Sequence, residues 1–173
     1  MAAVGAVKSK LMQTCARVVN NTALLPSRAD IDVYGSCDER SACESFLSKS
    51  LDEAQAMFCE NSLYSLEDLM WMGPVAFRFY VRAAIAYVHS EHATGDSDFI
   101  RYLAWIFSFR QESPAELVPC ARLLADFCGT VAEQFERFDA DPKIDFGLRE
   151  KYVLLAELFI RVADETRTSQ PNS

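Results

Sequence analysis

This chain has very few of the residues that usually carry chemistry. It has two histidines, His89 and His92, so any Ser-His or Cys-His pairing must use one of them, and no strand–turn–helix elbow presents a serine. Its six glycines are scattered singly, which excludes a Gly-rich phosphate cradle. The six cysteines (Cys15, Cys37, Cys43, Cys59, Cys120, Cys128) form no close C-x-x-C pair and follow no secretory h-region with a cleavage site. They read as reduced thiols, several packed as small hydrophobes. Acid is missing from residues 1–29, which hold Lys8, Lys10, Arg17 and Arg28, whereas residues 30–173 carry 13 basic against 25 acidic side chains, a balance of −12. No strand-like alternation of useful length and no internal repeat occurs.

A membrane span is also missing. The most apolar run, "WMGPVAFRFYVRAAIAYVHSEH" from Trp71 to His92, has only Val75, Ala76 and Phe77 between Pro74 and Arg78, and Phe79, Tyr80 and Val81 before Arg82. A bilayer needs about 20 predominantly apolar residues. At 100° per residue, Phe77, Tyr80, Val81, Ala84, Ile85, Tyr87 and Val88 gather on one core face. Ala83, Ala86 and Ser90 form a second, small-residue face, and Arg78, Arg82 and His89 share a narrow stripe. Such a helix belongs at the centre of a bundle.

What is present is a 173-residue, half-hydrophobic, Phe-rich chain with a net charge of −8, enough to bury a core as one domain. The acidic balance excludes binding nucleic acid through a broad basic surface and favours a basic protein partner. Val4, Val7, Leu11, Cys15 and Val18 recur at helical spacing, so residues 1–21 read as an amphipathic basic helix. The alternative is an organelle transit peptide; otherwise the expected compartment is the cytoplasm. Residues 22–37, interrupted by Pro26 and Gly35, read as a loop, residues 38–166 as the helical domain and 167–173 as a loose tail.

Within that domain Ser50 with Glu53 forms a capping box, and Ser65 with Asp68 resembles a second start. Gly73-Pro74 opens the central helix, expected over about 74–92 and ended by Gly95; Asp96 or Ser97 caps the next. Ser113-Pro114-Ala115-Glu116 opens another, with a helical period kept through Leu117, Leu124, Val131, Phe135 and Phe138. A last helix runs from about Leu148 to Ala163. The expected fold is an all-α, single-domain bundle of about six or seven helices around the central apolar one.

The stretch "FLSKSLDEAQAMFCENSLYSLEDLMWMGPVAFRFYVRAAIAYVHS" resembles a family of small, uncharacterised bacterial all-helical proteins with a Met-Gly-Pro-x-Ala-Phe-Arg-aromatic-Tyr block, here Met72 to Tyr80, followed by an Ala-rich helix. The likeness covers Phe46 to Arg110. It implies a toxin-immunity role and no catalytic residues; Arg82 stands where that pattern has proline, which puts a kink there in doubt.

Three constellations bear on chemistry. His89 and His92, three apart near a helix end, fit a solvated last turn better than a metal site. His89-x-Glu91 followed by Pro119-Cys120 echoes the zinc deaminases, but Cys128 lies eight residues on, about 12 Å along a helix, too far for both thiolates to hold one zinc. Asp139 to Glu150, counted as a twelve-residue calcium loop, has acids at positions 1, 3, 7 and 12, but Lys143 stands at 5 and Ile144 at 6 where Gly is needed. It reads as a solvated interhelical loop. No cofactor, metal or catalytic residue is therefore assigned. The expected function is non-enzymatic binding of a basic protein, immunity-like or regulatory, through Glu91, Asp96, Asp98, Asp139, Asp141 and Asp145. The alternative is a small enzyme or ligand carrier using a groove at Arg78, Arg82, Tyr80 and Tyr87, with His89 on the same stripe. Oligomeric state is left open.

Overall fold

Short capping signals divide residues 24–168, the part of the chain that the computed structural model describes, into helices joined by tight turns. A single turn, α1 (Arg28–Ile31), precedes α2 (Cys37–Phe46), α3 (Leu51–Glu60), α4 (Ser62–Trp71) and α5 (Pro74–His89). After a 3-10 turn at Glu91–Ala93 come α6 (Ser97–Arg110) and the short α7 (Pro114–Leu117). A 3-10 turn at Val118–Cys120 leads into α8 (Ala121–Glu133), and another at Phe135–Phe138 precedes α9 (Leu148–Thr168). No strand occurs among the described residues. The chain is an all-α single domain of packed helices. The amphipathic basic helix and transit-peptide readings of residues 1–21 lie outside the described residues.

The starts of α2, α3 and α6 satisfy exposed amides of the first turn with a side chain. Ser36 Oγ accepts from Glu39 N at 3.0 Å while the Glu39 carboxylate accepts from Ser36 N at 2.9 Å. Ser50 and Glu53 repeat the arrangement at 3.2 and 2.8 Å, as expected. Asp96 Oδ1 accepts from Phe99 N at 3.1 Å and opens α6, while Pro74 and Pro114 stand in the first turns of α5 and α7.

Several boundaries differ from the sequence reading. The loop expected over 22–37 contains α1, because Ser27 and Asp30 cap a turn that drives Ile31 into the core. Asn61, not Ser65, starts α4; its side chain accepts from Tyr64 N at 3.2 Å, and Ser65 and Asp68 turn inward. The central helix stops at His89, where Ser90 Oγ bonds the Tyr87 carbonyl at 2.6 Å. The long period through Leu117 to Phe138 is broken by 3-10 turns on both sides of α8; Pro119, which has no N–H to donate, lies in the first. Helix α9 continues to Thr168, past the start expected for the tail.

The Met72-Gly73-Pro74 corner has a steric cause. A Cβ on Gly73 would lie 2.3 Å from Val33 Cγ2 and 2.5 Å from the Asp30 carbonyl oxygen. Gly73 N also donates to the Ile31 carbonyl at 3.0 Å, so α1 is laid directly on the corner. Helix α5 then buries the face anticipated for it, together with Ala83, and packs chiefly against α3. Helices α8 and α9 share the broadest helix–helix interface. An aromatic chain runs through both regions: Phe46 meets Tyr80 at 5.0 Å, Tyr87 meets Phe99 at 4.7 Å, and Phe107 meets Phe159 at 5.7 Å. Helices α4 and α6 run parallel, since Ser62 Oγ bonds Asp96 at 2.9 Å at their starts and Arg110 bonds the Met70 carbonyl at 2.7 Å at their ends.

One buried acid opposes the fold. Asp68 accepts from Ser41 Oγ at 3.2 Å through one oxygen, but Oδ2 has no partner, and burial pushes the carboxyl above its usual range. A carboxyl whose folded pKa is raised contributes stability at low pH that is lost as pH rises through that pKa. Asp68→Asn should therefore gain on the wild type between pH 4 and pH 7, read as diverging urea midpoints. Gly73→Ala should cost roughly 1–3 kcal/mol through overpacking. Gly129→Ala, within α8 and with nothing within 4 Å of the added methyl, should instead stabilise by about 0.5–1 kcal/mol; denaturant midpoints of the two variants moving the same way would contradict the steric account.

Candidate functional site

Arg137 fastens two acidic segments together at one end of the bundle. Its guanidinium donates to the Val88 carbonyl at 2.9 Å, to the Ser90 carbonyl and to Thr94 Oγ1 at 3.3 Å, and its own carbonyl accepts from Gly95 N at 3.0 Å. Segments 88–98 and 135–147 are thereby held side by side, bringing Glu91, Asp96, Asp98, Asp139, Asp141 and Asp145 to one end.

These six do not form one free surface. Glu91, Asp98, Asp139 and Asp141 are exposed. Asp96 is half-buried and occupied, capping α6 and accepting from Tyr87 Oη at 2.7 Å. Asp145 is 6% exposed and pairs with Arg101 Nε at 2.6 Å, while the same arginine holds Asp98 at 2.6 Å through Nη1. The surface expected from the sequence is thus corrected at Asp96 and Asp145, which serve the fold. A string of acids in a loop does not reveal which one turns inward.

The inward turn of Asp145 has an outward counterpart. The Asp141 carbonyl accepts from Ile144 N at 3.0 Å and Asp145 N at 2.7 Å, and its side chain from Lys143 N at 2.8 Å. Asp139 at φ 51° and Gly147 at φ 74° bend the chain at either end. With Asp145 anchored, its neighbours project: Ile144 is 66% exposed and Phe146 92%. Reading this segment only as a solvated loop overlooked both exposed apolar side chains; the alternation Ile144-Asp145-Phe146 was the available signal. In the calcium-loop count, position 7 is Asp145, whose paired oxygen faces Arg101. Among the described residues no three His, Cys, Asp or Glu side chains are grouped to hold a metal ion.

The alternative groove does not assemble. Tyr80 is fully buried, its hydroxyl donating towards the Phe46 carbonyl at 2.6 Å with the Lys49 carbonyl at 3.0 Å, and burial pushes its pKa to about 12. Tyr87 is likewise buried against Asp96. Arg78, Arg82 and His89 do lie along α5. Arg78 donates to the Glu116 main-chain carbonyl at 2.9 Å, and Arg82 is half-buried. His89 sets its ring edge-on to Phe127 at 6.4 Å, and burial, with the charge of Arg137, lowers its pKa. Burial also raises the Cys120 thiol to about 11 and lifts Cys128 well above the usual thiol range, so both stay protonated.

A surface feature absent from the sequence reading lies along α6. Tyr102, Trp105 and Phe109 stack in succession, with centroids 5.5 and 6.4 Å apart. Beside them runs an open groove of about 540 Å³ lined by Leu63, Asp98, Arg101, Tyr102, Trp105, Leu148 and Lys151. Trp105 is 47% exposed, and Leu63, Phe109 and Trp71 also face solvent.

No known family model, curated protein or solved structure matches the chain. Among the described residues no helix is long and apolar enough to cross a membrane.

The scaffold beneath this face hangs on Arg110. Its guanidinium donates to the carbonyls of Met70 at 2.7 Å and of Met72, with that of Leu69 at 3.5 Å, and lies 4.4 Å from the centre of the Phe77 ring. Burial lowers its pKa to about 10, which still leaves it charged at pH 7. Arg110→Lys cannot reach several carbonyls with one planar fork. It should cost about 2–4 kcal/mol, read as a lower urea midpoint, with Trp105 fluorescence altered; an unchanged midpoint would show that water replaces the guanidinium freely.

Proposed function

We propose that this chain is a non-enzymatic interaction protein that binds a basic protein partner through the end of the bundle that carries Ile144, Phe146, Glu91, Asp139 and Asp141. One observation carries the reading: a phenylalanine 92% exposed, held out by a loop whose neighbouring residue is anchored to Arg101. Exposing an aromatic ring forgoes the stabilisation of burial, about 25 cal/mol per Å², which a protein recovers by covering the ring with a partner. Aromatic anchors supply much of the energy at protein interfaces, and pre-formed loops lose little entropy on binding. The exposed carboxylates around it attract a cationic surface, speed its approach and fix its orientation.

An immunity-like role, in which the partner is a basic toxin, is the form of this reading implied by the sequence resemblance; regulation of a basic enzyme uses the same surface. We place the protein in the cytoplasm, where the thiols of Cys43, Cys120 and Cys128, buried as small apolar side chains, stay reduced.

Wild-type chain, Phe146→Ala and the pair Asp139→Lys with Asp141→Lys should be used as baits under matched conditions, with captured proteins quantified by mass spectrometry. A specific basic partner should be lost from the Phe146→Ala bait. Its association with the charge-reversed bait should be slower and less salt-dependent at two ionic strengths, with stability changed by less than about 0.5 kcal/mol. Equal association rates and salt slopes would move the interface away from this loop.

A further inference from the structure

We propose that two copies of this chain pair about a two-fold axis, each seating Phe146 in the other's groove between α4, α6 and the start of α9. The groove and the projecting loop are adjacent: Leu148 lines one, Phe146 stands two residues before it, and the Arg101 that walls the groove anchors Asp145 at the base of the loop. The loop does not fill its own groove, since Phe146 is 92% exposed. A knob beside a hole on one face is the arrangement that an isologous dimer uses twice, each copy giving its knob and receiving the other's.

The chemistry of the groove selects this occupant. Its floor is apolar and aromatic, with Leu63, Tyr102, Trp105 and Leu148, while its rim carries Asp98 and Arg101, already paired with each other at 2.6 Å, and Lys151, for which no ion pair is seen among the described residues. Such a site suits an apolar anchor accompanied by negative charge, and a basic partner would bring like charge against Lys151. The 139–147 loop of a second copy supplies both requirements, Phe146 and Ile144 for the floor and the exposed Asp139 and Asp141 for the rim. The dimer does not depend on the basic-partner reading. Because both use the Phe146 ring, self-pairing and partner binding exclude each other.

Sedimentation velocity of the full chain from about 2 to about 200 µM tests the pairing, over the range expected of a modest interface. The wild type, 19.4 kDa per chain, should move from monomer towards twice that mass. Phe146→Ser should raise the dissociation constant by about thirtyfold or more, the scale of a truncated interface anchor. Lys151→Glu should weaken pairing as well, with circular dichroism unchanged for both variants. Mixing Phe146→Ser chains with Trp105→Ser chains should restore association that neither shows alone, because the mixed pair keeps one intact ring-in-groove contact. A wild type monomeric throughout, or a dimer indifferent to Phe146→Ser, overturns the proposal. A monomer that still captures a basic protein through Asp139 and Asp141 refutes the dimer and leaves the partner reading standing; a Phe146-dependent dimer that is weakened by Asp139→Lys with Asp141→Lys, in a chain that captures no basic protein, does the reverse.

Discussion

The guanidinium of Arg110 is the tie on which the arrangement of helices depends. The last carbonyls of a helix have no partner within it. Helix α4 must end where α5 begins, because Gly73 sits against α1 and leaves no room for a gradual bend. Arg110, the last residue of α6, meets the carbonyls on both sides of that corner and lays its plane on the Phe77 ring. One side chain thus joins the end of α4, the first turn of α5 and the end of α6. The parallel course of α4 and α6 follows, and with it the groove between them. The ionic partner that a buried charge normally requires is replaced here by several carbonyl dipoles and an aromatic face.

Much of this fold was legible because its signals are local. The Ser50-Glu53 box, the Gly73-Pro74 start and the Asp96 cap each act within a few residues, and the apolar face of α5 follows from helical period alone. What escaped was long-range. Arg110 reads as an ordinary charge in the last turn of a helix until the carbonyls of residues some forty positions earlier arrive beside it. The breaks flanking α8 escaped because apolar spacing continues across a 3-10 turn almost unchanged for a few residues. Ser65 and Asp68 imitated a cap because that pattern states nothing about which way the side chains face.

The acidic end shows the same limit on the functional side. Arg137 gathers the six acids singled out from the sequence at one end, yet Asp96 and Asp145 are consumed by the fold. Their loss from the surface is productive, since Asp145 turning inward is what turns Ile144 and Phe146 outward. Residue alternation of this kind is routine in strands and easily passed over in a loop. The aromatic row on α6 was hidden differently: Tyr102, Trp105 and Phe109 share a helical period with core residues, and only the packing of α4 and α9 decides that their side of the helix stays uncovered.

Both tryptophans of the chain, Trp71 and Trp105, lie partly in water on the parallel helices α4 and α6, and neither belongs to the core. The optical consequence inverts the usual use of indole emission. In most proteins the signal marks the collapse of the interior, because the ring leaves solvent as the chain folds. Here both rings are already partly wet in the native protein, so melting shifts the emission less than it would for buried indoles. A blue shift would arise instead when something dry settles over the two rings, which makes intrinsic fluorescence a gauge of what covers this face.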